Sequence, residues 1–294
     1  MKQQLLIFFI FIAPYYLYSR SVVYNFRIAQ ITKEHIFEPE NKRPYTFIGL
    51  LFDEVSQKRY NDIHRNYFGG LGTFIYSWES YFLRADFAVA QVQQTDIDSH
   101  FKDTQTDDFL ITLGKNFLIS NHANLTFSGL FGFPTHPVYA LQKPYFGFGQ
   151  YGIGAQLDSV YRFNQNNSLL LGGRYIYFVP RSATDDHCMK HIFSIGNLID
   201  FLVASKNVWG KHGVEIGFTP RFSFGAKVYP SFDTIVEKSN YIRASWYAVY
   251  QYKFKYHSTI QRFLFNIASG FDIAPKRYGH KYIVFLWAAW DVKF

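Results

Sequence analysis

From residue 45 to the last residue, the chain alternates apolar and polar positions over long runs separated by clusters of turn residues. In 123–133, Leu125, Phe127, Phe131 and Phe133 fall on one side of the alternation; Asn124, Thr126, Ser128 and Gly132 fall on the other. In 212–227, Val214, Ile216, Phe218, Phe222 and Phe224 oppose Glu215, Thr219, Arg221, Ser223 and Lys227. In 240–256, Ile242, Trp246, Tyr250, Tyr252 and Phe254 oppose Arg243, Ser245, Gln251 and Lys253. The chain closes on the same pattern through Tyr282, Val284, Leu286, Ala288, Trp290, Val292 and Phe294. A period of two is the period of a β-strand, whose side chains point to opposite faces in turn.

Ten such runs stand out, at 79–92, 106–118, 123–133, 146–162, 168–179, 191–205, 212–227, 240–256, 259–274 and 280–294, and two more precede them at 45–52 and 70–77. All ten clear runs exceed ten residues, against ~5–6 in globular sheets, and a tilted strand crossing a bilayer needs ~9–11. That length excludes an ordinary soluble sandwich. The connectors alternate too. Those at 78–80, 120–122, 164–167, 207–211 and 257–258 are short, whereas 53–69, 93–105, 134–145, 180–190, 228–239 and 275–280 are mostly longer and more polar. The pattern predicts an all-β, transmembrane, antiparallel up-and-down β-barrel over 45–294, with about twelve strands and with ten or fourteen as alternatives. The short turns then fall on the periplasmic side.

The N-terminus changes the setting. Met1–Gln4 is a short basic start, and Leu5–Ala13 is an apolar run too short to span a bilayer. This predicts a secretory signal peptide over 1–19 and export to the bacterial outer membrane. Residues 20–44 form a separate N-terminal segment. Val22, Tyr24, Phe26 and Ile28 alternate there, so it is either a further strand or a partial plug in the lumen.

Composition narrows the class further. Aromatic residues make up 21% of the chain, with 33 Phe and 23 Tyr, while mean hydropathy is close to neutral. Apolar residues spread over alternate positions, with aromatic girdles at the lipid–water boundary, produce that combination. The single cysteine, Cys188, excludes an intramolecular disulfide. The net charge of +8 comes from dispersed Lys and Arg without a basic run, which argues against nucleic acid as a partner.

A charge on the lipid face costs about 2–4 kcal/mol at the midplane, so the charged face is the lumen. By parity it carries eight basic and five acidic residues: Arg84, Asp86, Asp158, Arg162, Arg174, Asp200, Glu215, Arg221, Lys227, Arg243, Lys253, Arg262 and Asp272. Fixed positive charge of this kind favours anions. The alternative is that these residues pair across strands and brace the wall, most of all Arg162 and Lys253 near the turns.

Catalytic chemistry finds little support. His257-Ser258 is an adjacent Ser/His pair, but it sits in a short turn on the periplasmic side. Asp96, Asp98, His100 and Asp103, and Asp185, Asp186 and His187, lie in polar connectors where such residues solvate a loop. Asp96-x-Asp98-x-His100 lacks the further ligands of a metal site. Gly147, Gly149, Gly152 and Gly154 lie in a strand with no following helix, so they form no phosphate loop. The chain is read as a non-enzyme without cofactor or metal.

The closing strand, with Trp290, Val292 and the terminal Phe294, resembles the C-terminal strand of Gram-negative outer-membrane barrels that the barrel-assembly machinery reads. More narrowly, Leu125–Thr135 and Gly147–Leu157 resemble the transporter barrels of the meta-pathway of phenol degradation, related to the fatty-acid transporters. The resemblance implies passive uptake of a small, often hydrophobic or aromatic, molecule, and it assigns no binding residue. The fatty-acid transporters' long N-terminal plug has no counterpart of similar length in 20–44. The sequence thus points to a monomer embedded in outer-membrane lipid that passes small solutes. A sealed barrel acting through its outer loops is the main alternative, and a barrel hydrolase the lesser one.

Overall fold

The structure is a computed structural model that describes residues 45–58, 62–95, 100–135, 149–184, 190–194, 196–224, 227–229, 241–256, 259–274 and 282–293. Side chains are described over 68–93, 102–135, 149–181, 196–224, 242–255 and 261–269, and at His100. The signal peptide, the segment 20–44 and Phe294 lie outside these residues, as do the side chains of Trp290, Val292, Asp272 and Lys227.

The strands in chain order are β1 (Tyr45–Lys58), β2 (Asp62–Trp78), β3 (Tyr81–Thr95), β4 (His100–Thr106), β5 (Phe109–Ser120), β6 (Ala123–Phe133), β7 (Gly152–Arg162) and β8 (Asn167–Phe178). They continue as β9 (Arg181–Thr184), β10 (Lys190–Ser194), β11 (Asn197–Trp209), β12 (His212–Phe224), β13 (Lys227–Tyr229), β14 (Tyr241–Tyr256), β15 (Thr259–Ala274) and β16 (Tyr282–Lys293). One sheet of 13 strands runs β2-β1-β16-β15-β14-β12-β11-β8-β7-β6-β5-β3-β4, and β2 also pairs with β3. The sheet therefore closes on itself, and every pairing is antiparallel. Closure removes the unpaired edges that an open sheet would present. β4 and β5 fill one place in the ring, β5 along Tyr81–Asp86 of β3 and β4 along Val89–Thr95. Between them Asp107 and Asp108 leave the ladder, with the Asp107 N–H still donating to Ala88 O at 2.8 Å.

Each alternating run of the sequence overlaps a ring strand, and β6 occupies 123–133 itself. Several connectors differ from expectation. Most of 53–69 is strand, because β1 and β2 stay paired as far as Lys58 and Asp62. β4 takes up the last part of 93–105 and runs on to Thr106. β9, β10 and β13 form a separate three-stranded sheet out of segments read mostly as loop. β7 starts only at Gly152, since Gly149 (φ 65°) departs from extended backbone.

The two faces separate by chemistry. Outward are exposed Phe74, Leu83, Phe87, Leu113, Phe127, Phe131, Leu157, Phe201, Ile216, Trp246 and Phe265. Inward, and buried, are Ile75, Phe82, Leu110, Leu130, Ile176, Phe178, Leu198 and Leu202, together with Thr73, Asn124, Thr126, Ser128, Gln156 and the charged residues described below. Aromatic residues collect at the short-turn end of the outer face. Tyr76, Trp78 and Tyr81 stack with centroids 5.8 and 5.9 Å apart, and the Lys115 ammonium lies 4.8 Å from the Tyr81 ring. Trp209, His212, Tyr250 and Tyr252 form a second group there. At the opposite end Phe133 meets Tyr151 edge-on.

Candidate functional site

The interior charges are placed by strand register. On β11, Asp200 stands opposite Arg174 of β8 on one side and Arg221 of β12 on the other. Arg221 in turn stands opposite Arg243 of β14, and Arg243 opposite Asp272 of β15. On the other side Arg174 faces Gln156 of β7, and Gln156 faces Ser128 of β6. Residues directly opposite on adjacent strands share a face, so the sequence positions line up as one polar tier along the inner wall. The Arg174 Nη2 and Nε groups donate to Asp200 Oδ2 at 2.7 and 3.2 Å, and Arg221 Nη2 donates to the same oxygen at 3.1 Å. Arg174, Asp200, Arg221 and Arg243 are 4%, 1%, 7% and 5% exposed. Two guanidiniums thus share one carboxylate that is almost wholly covered by protein.

Apolar residues bracket this tier. Leu198 and Leu202 lie two residues to either side of Asp200 on the same face of β11, and Ile176 lies two beyond Arg174 on β8; all three are buried. Leu202 packs with Val160, Leu170 and Ala204, and Tyr247 rests on that cluster. Low polarity around an ion pair strengthens each hydrogen bond and raises the cost of losing one partner.

Other predicted residues form smaller sets. Arg84 Nε lies within 2.9 Å of both Asp86 carboxylate oxygens, and Thr73 Oγ1 donates to Asp86 Oδ1. Gln156 Nε2 donates to Asp158. Glu215 accepts from the Tyr247 hydroxyl at 2.7 Å and stands opposite Lys206 in register. Arg262 is buried, opposite Lys253 on one side and Asp291 on the other. Arg162 and Lys253 are half-buried near the short turns. Asp272 holds its place opposite Arg243 by backbone register. Lys227 is a correction: β12 ends at Phe224, and Lys227 opens β13 in the separate sheet, outside the ring. The alternation in 212–227 continues past the strand end, so parity alone extends the strand too far.

Sequence parity missed several interior polar groups. Lys206 and Tyr247 face inward, Lys206 with Nζ 3.4 Å from Gln251 Oε1. At the end opposite the short turns, Asp107, Asp108 and Gln150 are buried. The Gly149 N–H donates to Asp108 at 3.1 Å, the Thr135 hydroxyl to Asp107 O at 2.8 Å, and Arg181 Nη1 to Gly149 O at 2.9 Å. These bonds tie the ends of two connectors to the β4–β5 junction. The Asp107-Asp108 pair at the break in the run was the only signal available.

Of the residues singled out for catalysis, only His100 and Asp103 are among the described residues. His100 and Asp103 are exposed on β4, where Asp103 accepts from Thr104 N and Gln105 Nε2. Asp96, Asp98, Asp185, Asp186, His187, Cys188, His257 and Ser258 lie outside the described residues. Among the described residues no three of His, Cys, Asp and Glu gather as a metal site would need, and no helix is long and apolar enough to cross a membrane, which says nothing about strands.

A closed antiparallel sheet, apolar outside and charged within, is the architecture of the outer-membrane β-barrels. The comparison with solved structures agrees: an outer-membrane channel from Pseudomonas putida F1 overlays with TM-score 0.65 at 11% identity, covering 87% of this chain and 99% of that one. The likeness shows a shared fold. The toluene transporter TbuX of Ralstonia pickettii (TM-score 0.43, 10% identity, covering 86% and 90%) and a FadL homologue of Pseudomonas aeruginosa (TM-score 0.41, 11% identity, covering 86% and 75%) overlay too loosely to add to the fold assignment. No family model matches the chain, and no curated protein matches its sequence.

Proposed function

We propose that this protein is a bacterial outer-membrane channel that passes small solutes passively, with a lumen that favours anions. The observation that carries the reading is the tier of Arg174, Asp200, Arg221 and Arg243 inside a closed ring whose outward face is apolar. Exposed Phe, Leu and Ile over so wide a surface are stable in lipid and would aggregate in water. Tyr151, just before β7, and Tyr161, near its end, are exposed aromatic residues at opposite ends of the strand. Their separation along a tilted strand spans about 25 Å, the height of an outer-membrane apolar band. Inside, three arginines against Asp200 and the register position of Asp272 leave the tier a positive balance. The short turns face the periplasm in this reading, and the chain acts as a monomer without cofactor or catalytic role. Its last strand, with Trp290, Val292 and Phe294, would be handed to the barrel-assembly machinery.

Vesicle swelling tests this directly. Vesicles carrying the refolded protein are expected to swell in isotonic sodium acetate faster than protein-free vesicles do. Equal rates would overturn the channel reading. A second reading, a sealed barrel acting through its loops, rests on the near-complete burial of the tier, and equal rates would favour it.

A further inference from the structure

Asp200 holds a position that a solute could take. Its Oδ2 accepts hydrogen bonds from guanidiniums on both neighbouring strands, Arg174 of β8 and Arg221 of β12. Arg243 stands next in register beyond Arg221. Asp200 is 1% exposed, with Leu198 and Leu202 buried on the same face of its own strand. A planar fork of N–H donors from an arginine matches a carboxylate and is far less suited to a spherical ion or a neutral amide.

We infer that Arg174 and Arg221 form an oxyanion site whose resting occupant is the carboxylate of Asp200, and that a small carboxylate is the ligand that replaces it. The exchange conserves the guanidiniums' hydrogen bonds: they pass from an internal carboxylate to an external one, and the released Asp200 carboxylate takes up the water that the incoming one gives up. Resting occupancy closes the tier, and exchange opens it. Asp200 is therefore the residue that sets both carboxylate affinity and the closed state. The gating part rests on the channel reading of the preceding section; the site itself does not.

The test is chemical rescue. Asp200→Ala removes the internal carboxylate and leaves a space of its shape beside two arginines. Refolding Asp200→Ala into detergent micelles is expected to give about tenfold more heat-modifiable barrel in sodium acetate than in acetamide or sodium chloride of equal concentration, within the usual range of ligand coupling. The wild type is expected to refold equally in all three, and Arg221→Gln/Asp200→Ala to lose the acetate effect. If acetate acts on Asp200→Ala no better than acetamide or chloride, the site is overturned. The measurement works even if Asp200→Ala does not fold unaided, because recovery of fold is the readout. Vesicle swelling separates the two claims: rescue without wild-type swelling keeps the site and removes the channel, and swelling without rescue does the reverse.

Discussion

Tyr247 of β14 lies across Gly217 of β12, directly opposite it in register, and its hydroxyl donates to Glu215 at 2.7 Å. The ring occupies the space that a side chain on Gly217 would need, and the same tilt brings the phenol to a buried carboxylate. Glycine in a strand normally weakens it; here its absence of a side chain lets an aromatic ring fold down onto the wall and fill the interior beside Leu170 and Leu202.

Gly217→Ala forces the Tyr247 ring away and breaks its bond to Glu215. The expected loss is about 1–3 kcal/mol of unfolding free energy, as for overpacking in a core. Gly129→Ala is the control, because a Cβ there meets Phe131 only at an ordinary 3.5 Å, and it should change stability by less than about 0.5 kcal/mol. Urea unfolding in lipid vesicles followed by tryptophan fluorescence measures both. Equal effects would remove the steric account.

The outer face gives a prediction that separates lipid from water. Phe127 and Leu157 are 54% and 49% exposed, opposite each other on β6 and β7. In water, replacing either by Arg is nearly neutral. Facing lipid, Leu157→Arg should cost about 2–4 kcal/mol. Unfolding of the variant in lipid vesicles decides between the two.

Carboxylates inside and outside should differ in weight. Arg84→Gln leaves the buried Asp86 carboxylate without its guanidinium, with an expected loss of about 3–5 kcal/mol. Asp103→Asn, at an exposed position, should change stability by at most about 1 kcal/mol. Similar unfolding midpoints for the two variants would mean that the interior is wetter than its burial implies.

Much of this fold is written in the alternation itself. β6 could be read residue by residue, because Phe127 and Phe131 face out and Thr126 and Ser128 face in with no break in the period. What period two leaves open is how far a strand runs and which residues meet. β12 stops at Phe224 although the pattern continues to Lys227, and β14 has a register shift at Ile242/Arg243. The Arg174–Asp200 pair joins residues 26 apart in sequence, and only strand register brings them together. Each arginine could be assigned to the inner face from parity, but its partner could not. Tyr247 was hidden for a different reason: a large aromatic on an inner face follows the same alternation as its charged neighbours and carries no sign that it covers a glycine.

The charge of the tier should be visible in selectivity. Arg243 is buried on the inner face beside Arg221. Arg243→Gln removes one fixed positive charge, so the reversal potential in a salt gradient should move toward the cation side, with the barrel still heat-modifiable. An unchanged potential would make Arg243 a wall brace.

The central claim is that the ring conducts and that its interior prefers anions. The measurement closest to it is the single-channel current of the refolded wild-type protein in a planar bilayer across a steep potassium chloride gradient. The account predicts discrete openings, promoted by added acetate, with a reversal potential displaced toward that of chloride. Openings that reverse near the potassium potential would contradict the basic lumen, and folded protein that never conducts, with or without acetate, would contradict the channel.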